Sequence, residues 1–245
     1  MLRRFYLPDP LAPQMTVTGS EARHMLKVLR LTAGQHVIVF DRDGKAGRFE
    51  IGSVAEGCAD LRLVAMLDEN RESPIEVILV QGLPKGDKMD HIVQKAVELG
   101  VSAIYPWQAD TSVVVYDENK QRSRRERWQK IAAEAAKQCR RTQVPPVASV
   151  SDLATVLAVC DPNAAILLLY EGQAVMGIRQ ALTDRQASCY VLIIGPEGGI
   201  SQREIALAES LGAVPVSMGP RILRTETAAL AALTVVLYHH GDVGG

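Results

Sequence analysis

The chain reads as an α/β protein: a small β-barrel-like module first, then a larger domain built on a largely parallel sheet. Three observations carry that reading. The first seventy residues hold short extended runs separated by tight turns, the pattern of a small barrel. From Ile75 onward apolar strands alternate with amphipathic helices, which is how parallel sheets are built. Two of the later strands empty into loops that each contain Gly-Pro, at Gly195-Pro196 and Gly219-Pro220. In open α/β sheets ligands bind at such carboxyl ends of strands.

In chain order, the extended runs of the first module are Arg3 to Leu7, His36 to Asp41, Lys45 to Val54 and Asp60 to Leu67. Asp43-Gly44 between two of them is a hairpin signal, because glycine reaches positive φ freely. A helix over 20–30, with Ser20 as its N-cap, interrupts the strands. The polar stretch Asp68 to Pro74 reads as a linker and sets domains at 1–70 and 74–245. In the second domain, strands are expected at Val77–Gln81, Ala103–Pro106, Ile166–Tyr170, Val191–Gly195 and Val214–Met218. Met89, Ile92, Val93, Ala96 and Val97 repeat at helical spacing, and Gly100 sits where a C-cap belongs. Trp128, Ile131, Ala132, Ala135, Ala136 and Cys139 form a second apolar face. Ser201 and Glu204 make a capping box, so a helix opens after Ser201 and runs to Gly212. An alanine-rich helix, Ala228 to Tyr238, closes the series and reads as core.

Composition narrows the class. Of 245 residues, 47% are hydrophobic and 22% charged, ordinary for a globular protein. The longest nearly apolar stretch, Ala228 to Tyr238, is too short to cross a bilayer. The first six residues lack the apolar core and cleavage site of a secretory signal. Four cysteines without a CxxC pair argue for free thiols, a cytoplasmic location and no structural zinc. Net charge is −1, yet Lys120 to Arg141 carries nine basic residues against two acidic ones. A local patch of that kind suits a polyanion. Its bland alternative is a solvated helix face.

The loop Ile194-Gly195-Pro196-Glu197-Gly198-Gly199 invites a phosphate-binding reading, which fails on spacing. A P-loop needs a lysine and hydroxyl after its second glycine, and a dinucleotide fingerprint needs G-x-G-x-x-G. Neither is present here; Gly82 to Lys88 is a near miss, with three residues between its glycines instead of four. The capping box already occupies N–H groups of the following helix, and Glu197 adds negative charge beside them. Both features disfavour a bound phosphate. A tight strand-to-helix turn and one wall of a ligand pocket stay open as readings of the loop.

Ile194 to Ile200, together with Gly219-Pro220-Arg221-Ile222-Leu223-Arg224-Thr225-Glu226-Thr227, strongly resembles the signatures of the SPOUT superfamily of RNA methyltransferases. Within it, the chain is similar to the bacterial family that methylates N3 of a uridine in 16S small-subunit ribosomal RNA. Lys85 to Asp90, Lys95 to Gly100, and Lys137 to Arg141 before Pro145-Pro146 agree with that family. Lys137 stands where the family pattern carries an acid. Arg3 to Tyr6 and His24 to Arg30 resemble its PUA-like RNA-binding domain.

The resemblance implies a fold of two parts, a PUA-like β-barrel over 1–70 and a trefoil-knotted SPOUT methyltransferase domain over 74–245. It implies a homodimer with sites at the subunit interface, and S-adenosylmethionine bent between three loops, Leu168 to Gly172, Ile194 to Gly199 and Ser217 to Leu223. The cofactor residues it points to are Leu169, Tyr170, Glu171, Ile194, Gly195, Pro196, Glu197, Gly199, Ser217, Met218, Gly219, Ile222 and Leu223. The partner it implies is 16S ribosomal RNA, within the small subunit.

Methyl transfer from a sulfonium to uracil N3 is an in-line displacement that needs no metal. The five histidines and four cysteines show no ligand spacing, and His239-His240 reads as a solvated helix end. Uracil N3 must lose its proton, leaving charge on O2 and O4 that an arginine could stabilise. Arg224 is the candidate for that role; a phosphate contact is its alternative. Glu197 and Glu226 are candidate bases or positioning groups, unless each merely pairs with a nearby cation, and water is a third acceptor. Arg3, Arg4, Lys85, Lys88, Arg140 and Arg141, with the basic segment, are the candidate RNA contacts, and a target base inside folded RNA would be flipped out. Two rival classes remain: a noncatalytic ribosomal RNA-binding or assembly factor, which predicts no cofactor binding, and a nucleotide-binding oxidoreductase, which lacks its fingerprint.

Overall fold

A computed structural model describes residues 2–55, 57–112, 116–172 and 176–244. The chain forms two compact units, Met1–Glu72 with Ala136–Val144, and Ser73–Ala135 with Pro145–Gly245.

The first unit is a five-stranded sheet of β1 (Arg4–Tyr6), β2 (Gln14–Val17), β3 (His36–Phe40), β4 (Ala46–Ala55) and β5 (Cys58–Leu67). Its order is β1-β3-β4-β5-β2, antiparallel except for β1 beside β3. Alternating residues Val37, Val39, Phe49, Ile51, Ala59 and Leu61 bury one face with Phe5. The β3–β4 turn uses Gly44 at φ +78°. The fully buried Asp41 holds that turn by accepting N–H bonds from Asp43 and Lys45 at 2.9 and 3.0 Å.

The helix expected from Ser20 to Arg30 takes a different form. Helix α1 covers Gly19–Arg23 with Thr18 as its N-cap, and Gly19 at φ +66° makes the entry turn. Ser20 therefore lies inside the helix and is not its cap. A π-helical turn, His24–Val28, follows, in which the Leu29 N–H bonds the His24 carbonyl five residues back at 2.9 Å. Ala22 and Met25 are buried, whereas Arg23, Lys27 and Arg30 are exposed.

Glu72, in the stretch read as a linker, is an anchor. One carboxylate oxygen accepts Arg141 Nε and Nη2 at 2.9 and 2.5 Å, and the other accepts the N–H groups of Thr142 and Gln143. The two side chains are 7% (Arg141) and 15% (Glu72) exposed. Lys137 finds its counter-charge in Glu21, 3.1 Å away. Breaking a buried pair by removing one partner costs about 3–5 kcal/mol. Glu72→Ala is expected to lower the free energy of unfolding by about 3 kcal/mol in urea denaturation, and a loss below about 1 kcal/mol would contradict the anchor.

The second unit is a six-stranded sheet of β6 (Glu76–Gly82), β7 (Ala103–Trp107), β8 (Ala165–Leu169), β9 (Met176–Gly177), β10 (Cys189–Ile194) and β11 (Val214–Ser217). Its order is β7-β6-β10-β8-β11-β9 and every pairing is parallel. All six residues of β10 are buried, as a strand covered on both faces requires. Around the sheet run α2 (Lys88–Leu99), α3 (Glu118–Cys139), α4 (Leu153–Ala158), α5 (Ile178–Asp184), α6 (Gln202–Ser210) and α7 (Thr225–His239). Gly100 caps α2 at φ +108°. α7 starts at Thr225, earlier than the alanine run suggests, and buries Ala229, Ala232, Leu233 and Val236. His240, read as solvated, is half-buried with its ring 5.0 Å from that of Tyr190; burial lowers its pKa.

Because β10 inserts between β6 and β8, strands β10, β8 and β11 are neighbours with a common direction. Their three carboxyl-end loops therefore open on the same edge of the sheet.

Candidate active site

Those three loops enclose a cleft of about 510 Å³, within the usual range for a small-molecule site. Every residue read from sequence as a cofactor contact lines it: Leu169, Tyr170 and Glu171; Ile194, Gly195, Pro196, Glu197 and Gly199; Ser217, Met218, Gly219, Ile222 and Leu223. Gly172, Gly198, Ile200, Val216, Arg221, Thr225 and Ala228 also line it and were not singled out as cofactor contacts. Gly172, Gly198 and Arg221 lie inside the three loops, and Ile200 and Thr225 inside the two signatures, so the motifs themselves were the signal. Arg224 is exposed at the N-cap of α7, between two lining residues.

The loop after β10 is fixed from several sides. Thr225 Oγ1 donates to the Gly195 carbonyl at 2.6 Å and accepts from Gln81 Nε2 at 2.9 Å. Trp107 Nε1 donates to the Ile194 carbonyl at 3.2 Å, and Thr111 Oγ1 to the Gly199 carbonyl at 2.6 Å. Gly199, at φ +77°, closes a turn by bonding the Pro196 carbonyl. A Cβ on Gly82 would lie 2.6 Å from both the nitrogen and the Cδ of Pro196. The capping box of α6 is present in both directions, with Ser201 Oγ accepting from Glu204 N–H and Glu204 accepting from Ser201 N–H. Glu204 also accepts the Asp110 N–H at 2.8 Å. Its carboxylate therefore occupies the helix start, as the case against a phosphate cradle required.

These walls fit S-adenosylmethionine. The glycines bare backbone N–H and C=O groups that can pair with an adenine edge. Met218, Ile222 and Leu223 supply apolar surface for its faces, with Ile222 79% exposed at the cleft, whereas the Ile194 side chain is buried. Glu171 and Glu197 put carboxylates on the cleft wall, charge of the sign that would suit a sulfonium. Among the described residues, no group of three or more side chains that could hold a metal ion gathers anywhere.

Glu197 is already engaged. It accepts Lys88 Nζ at 2.8 Å and the Lys85 N–H at 3.2 Å, and Lys88 also lies 3.2 Å from Glu226. Desolvation pushes the Glu197 carboxyl up, but the bonds from Lys88 and loop N–H groups outweigh it and hold it below the usual carboxylate value. Glu226 is held low in the same balance, against desolvation, by its own N–H, Lys88 and Arg224. A carboxylate held low is a weak base at neutral pH.

The proposed RNA contacts separate. Arg4 is only 7% exposed, bonded to Glu69 at 2.7 Å, and lies over the Phe40 ring. Arg141 is spent on Glu72. Both are corrected to structural roles, because a buried, paired guanidinium cannot reach a phosphate. Lys88 is committed to two carboxylates, and Arg140 is half-buried at φ +67°. Arg3 and Lys85 are exposed. In the basic segment, Arg125 bonds the Val147 carbonyl and Arg127 bonds Asp90. Arg122, Arg127 and Lys130 nonetheless face outward. Arg23, Lys27 and Arg30, in and just after α1 and its π turn, are exposed cations outside the candidate RNA contacts.

A parallel sheet emptying three neighbouring strand ends into one glycine-walled cleft, in a chain that also carries a PUA-like sheet, is the build of a SPOUT-type RNA methyltransferase. Residues 71–237 match the family described as the RNA methyltransferase domain, and residues 17–63 the RNA methyltransferase PUA domain. The ribosomal RNA small subunit methyltransferase E of Bacillus subtilis (strain 168) is 38% identical over 93% of this chain and 91% of its own length. The crystal structure of that enzyme from Neisseria gonorrhoeae, bound to S-adenosylmethionine, superposes with a TM-score of 0.86 at 33% identity, covering 96% of each chain. A Legionella pneumophila protein in complex with the same cofactor gives 0.89 at 32% identity, over 97% of this chain and 98% of that one. The chain belongs to the ribosomal RNA small subunit methyltransferase E family.

Proposed function

We propose that this chain transfers a methyl group from S-adenosylmethionine to N3 of a uridine in 16S ribosomal RNA, as a homodimer and without a metal ion. The observation that carries the reading is the convergence of three strand-end loops on one cleft of cofactor size. The cofactor supplies an electrophilic methyl group on a sulfonium. The protein's part is alignment and charge. Arg224 stands beside the cleft where negative charge on O2 and O4 develops as N3 loses its proton. Glu197 and Glu226, held ionised and low, act as positioning groups, and the proton passes to water. The trefoil knot and the cytoplasmic location implied by the resemblance and the free thiols belong to the same reading. Calorimetric titration with S-adenosylmethionine is expected to show saturable binding; no binding would favour the assembly-factor reading.

RNA is held by exposed cations: Arg3 and Lys85, the outward side of α3, and the exposed surface of Arg23, Lys27 and Arg30. Each phosphate contact contributes about 0.7–0.9 to the slope of log affinity against log salt. Replacing Arg23, Lys27 and Arg30 together by glutamine is expected to reduce that slope by about 2 for a 16S fragment. An unchanged slope would remove this face from the interface.

A further inference from the structure

Lys88 reads from sequence as a phosphate contact, but its ammonium points between two carboxylates. Nζ lies 2.8 Å from Glu197 Oε1 and 3.2 Å from Glu226 Oε2. Glu197 sits on the loop after β10, and Glu226 sits in the first turn of α7, just beyond the loop after β11. Lys88 is the first residue of α2. One cation thus joins the loop after β10 to the first turn of α7, the helix that follows the loop after β11. The three side chains are 32% (Lys88), 26% (Glu197) and 20% (Glu226) exposed, so water screens them only partly. The Lys85 N–H adds a second tie to Glu197, reaching both carboxylate oxygens at 3.2 and 3.3 Å.

We propose that Lys88 is a positioning residue for methyl transfer: its ammonium clasps the loop after β10 to the start of α7, and without it the repulsion of Glu197 and Glu226 moves that cleft wall. This rests on the cleft holding S-adenosylmethionine. Two carboxylates that share one cation repel when it is removed, and one then takes up a proton to relieve the repulsion. In the intact protein the bonds to Lys88 help hold both carboxyls low. Depressed carboxylate pKa values stabilise above the unfolded value and lose that contribution as pH falls through the folded value. The intact clasp is therefore closed at neutral pH and fails only below the usual carboxylate range. Lacking Lys88, the pair should behave oppositely, repelling at neutral pH and closing as pH falls.

Other charges face the cluster. Lys85 is exposed on the same turn, Asp87 lies 3.9 Å from Arg124, Asp90 is bonded to Arg127, and Arg224 lies beside Glu226. His91 shares a shallow hollow with Glu226. The experiment is therefore run with and without His91→Asn.

Calorimetric titration of S-adenosylmethionine at pH 7.5 and pH 5.5 tests the clasp. Wild-type affinity should be nearly the same at both. Lys88→Met should bind roughly two- to fivefold more weakly at pH 7.5 and recover most of the loss at pH 5.5. Lys88→Arg should behave as wild type. Lys88→Met/Glu226→Gln, with one carboxylate left, should regain affinity at pH 7.5. Should Lys88→Met fail to fold, the double variant decides: folding and binding support the clasp, and failure of both overturns it. Lys88→Met binding like wild type at both pH values, or weakening without recovery at low pH or in the double variant, also overturns it. Failure of wild-type protein to bind would instead overturn the cofactor reading beneath it.

Discussion

Arg224→Ala is expected to lower the rate of methyl transfer by about a hundredfold or more while leaving S-adenosylmethionine affinity within about twofold. Arg224 caps α7 without making a side-chain cap bond, so its removal costs the helix little. Its neighbours Leu223 and Thr225 line the cleft, whereas Arg224 does not. Its proposed role is to stabilise charge on a base that enters beside the cofactor. An interaction made only as uracil N3 becomes an anion lowers kcat and kcat/KM together, without weakening the ground state. Steady-state kinetics with labelled cofactor, paired with calorimetry, separates the two quantities. Equal losses in turnover and affinity would move Arg224 into the cofactor-binding set.

Gly82→Ala should weaken cofactor binding by more than tenfold and lower the thermal midpoint. The added methyl meets the backbone nitrogen and ring of Pro196 at 2.6 Å and the Gly195 carbonyl carbon at 3.0 Å. Backbone and a proline ring cannot rotate aside as a flexible side chain can. Movement of that loop also strains the bonds from Thr225 to Gly195 and from Trp107 to Ile194. Gly86→Ala is the control. Gly86 has φ +67° but open space where a Cβ would project, so its cost is backbone strain of about 1 kcal/mol and cofactor affinity should hold. Similar binding losses in both variants would contradict the proposed close packing beneath the cleft.

What was legible in the sequence had local causes. β10 stands out as an apolar run because it is covered on both faces, and the Ser201–Glu204 capping box and Gly100 mark helix ends by their own chemistry. The two Gly-Pro loops were adjacent to those strands and pointed to the cleft. Long-range partners were not legible. Arg4 and Arg141 look like any other cations until Glu69 and Glu72, 65 and 69 residues away, bury them. Lys88 and Glu197 are separated by 109 residues, so a clasp between them reads as two unrelated charges. β9 spans two residues, too few for any periodicity to show. A helix over 20–30 is legible, but its start at Thr18 and the π turn within it are not: the turn depends on one i−5 hydrogen bond that no residue type announces. A knot belongs to the whole path of the chain, and only resemblance suggests it.

This chain is expected to methylate a uridine of 16S ribosomal RNA. The most direct measurement is mass mapping of that RNA from a strain lacking the gene, before and after treating its small subunits with purified protein and S-adenosylmethionine. One N3-methyluridine should be missing from the untreated RNA and restored by treatment. An unchanged set of modifications in the deletion strain, with no methyl transfer on treatment, would contradict the account.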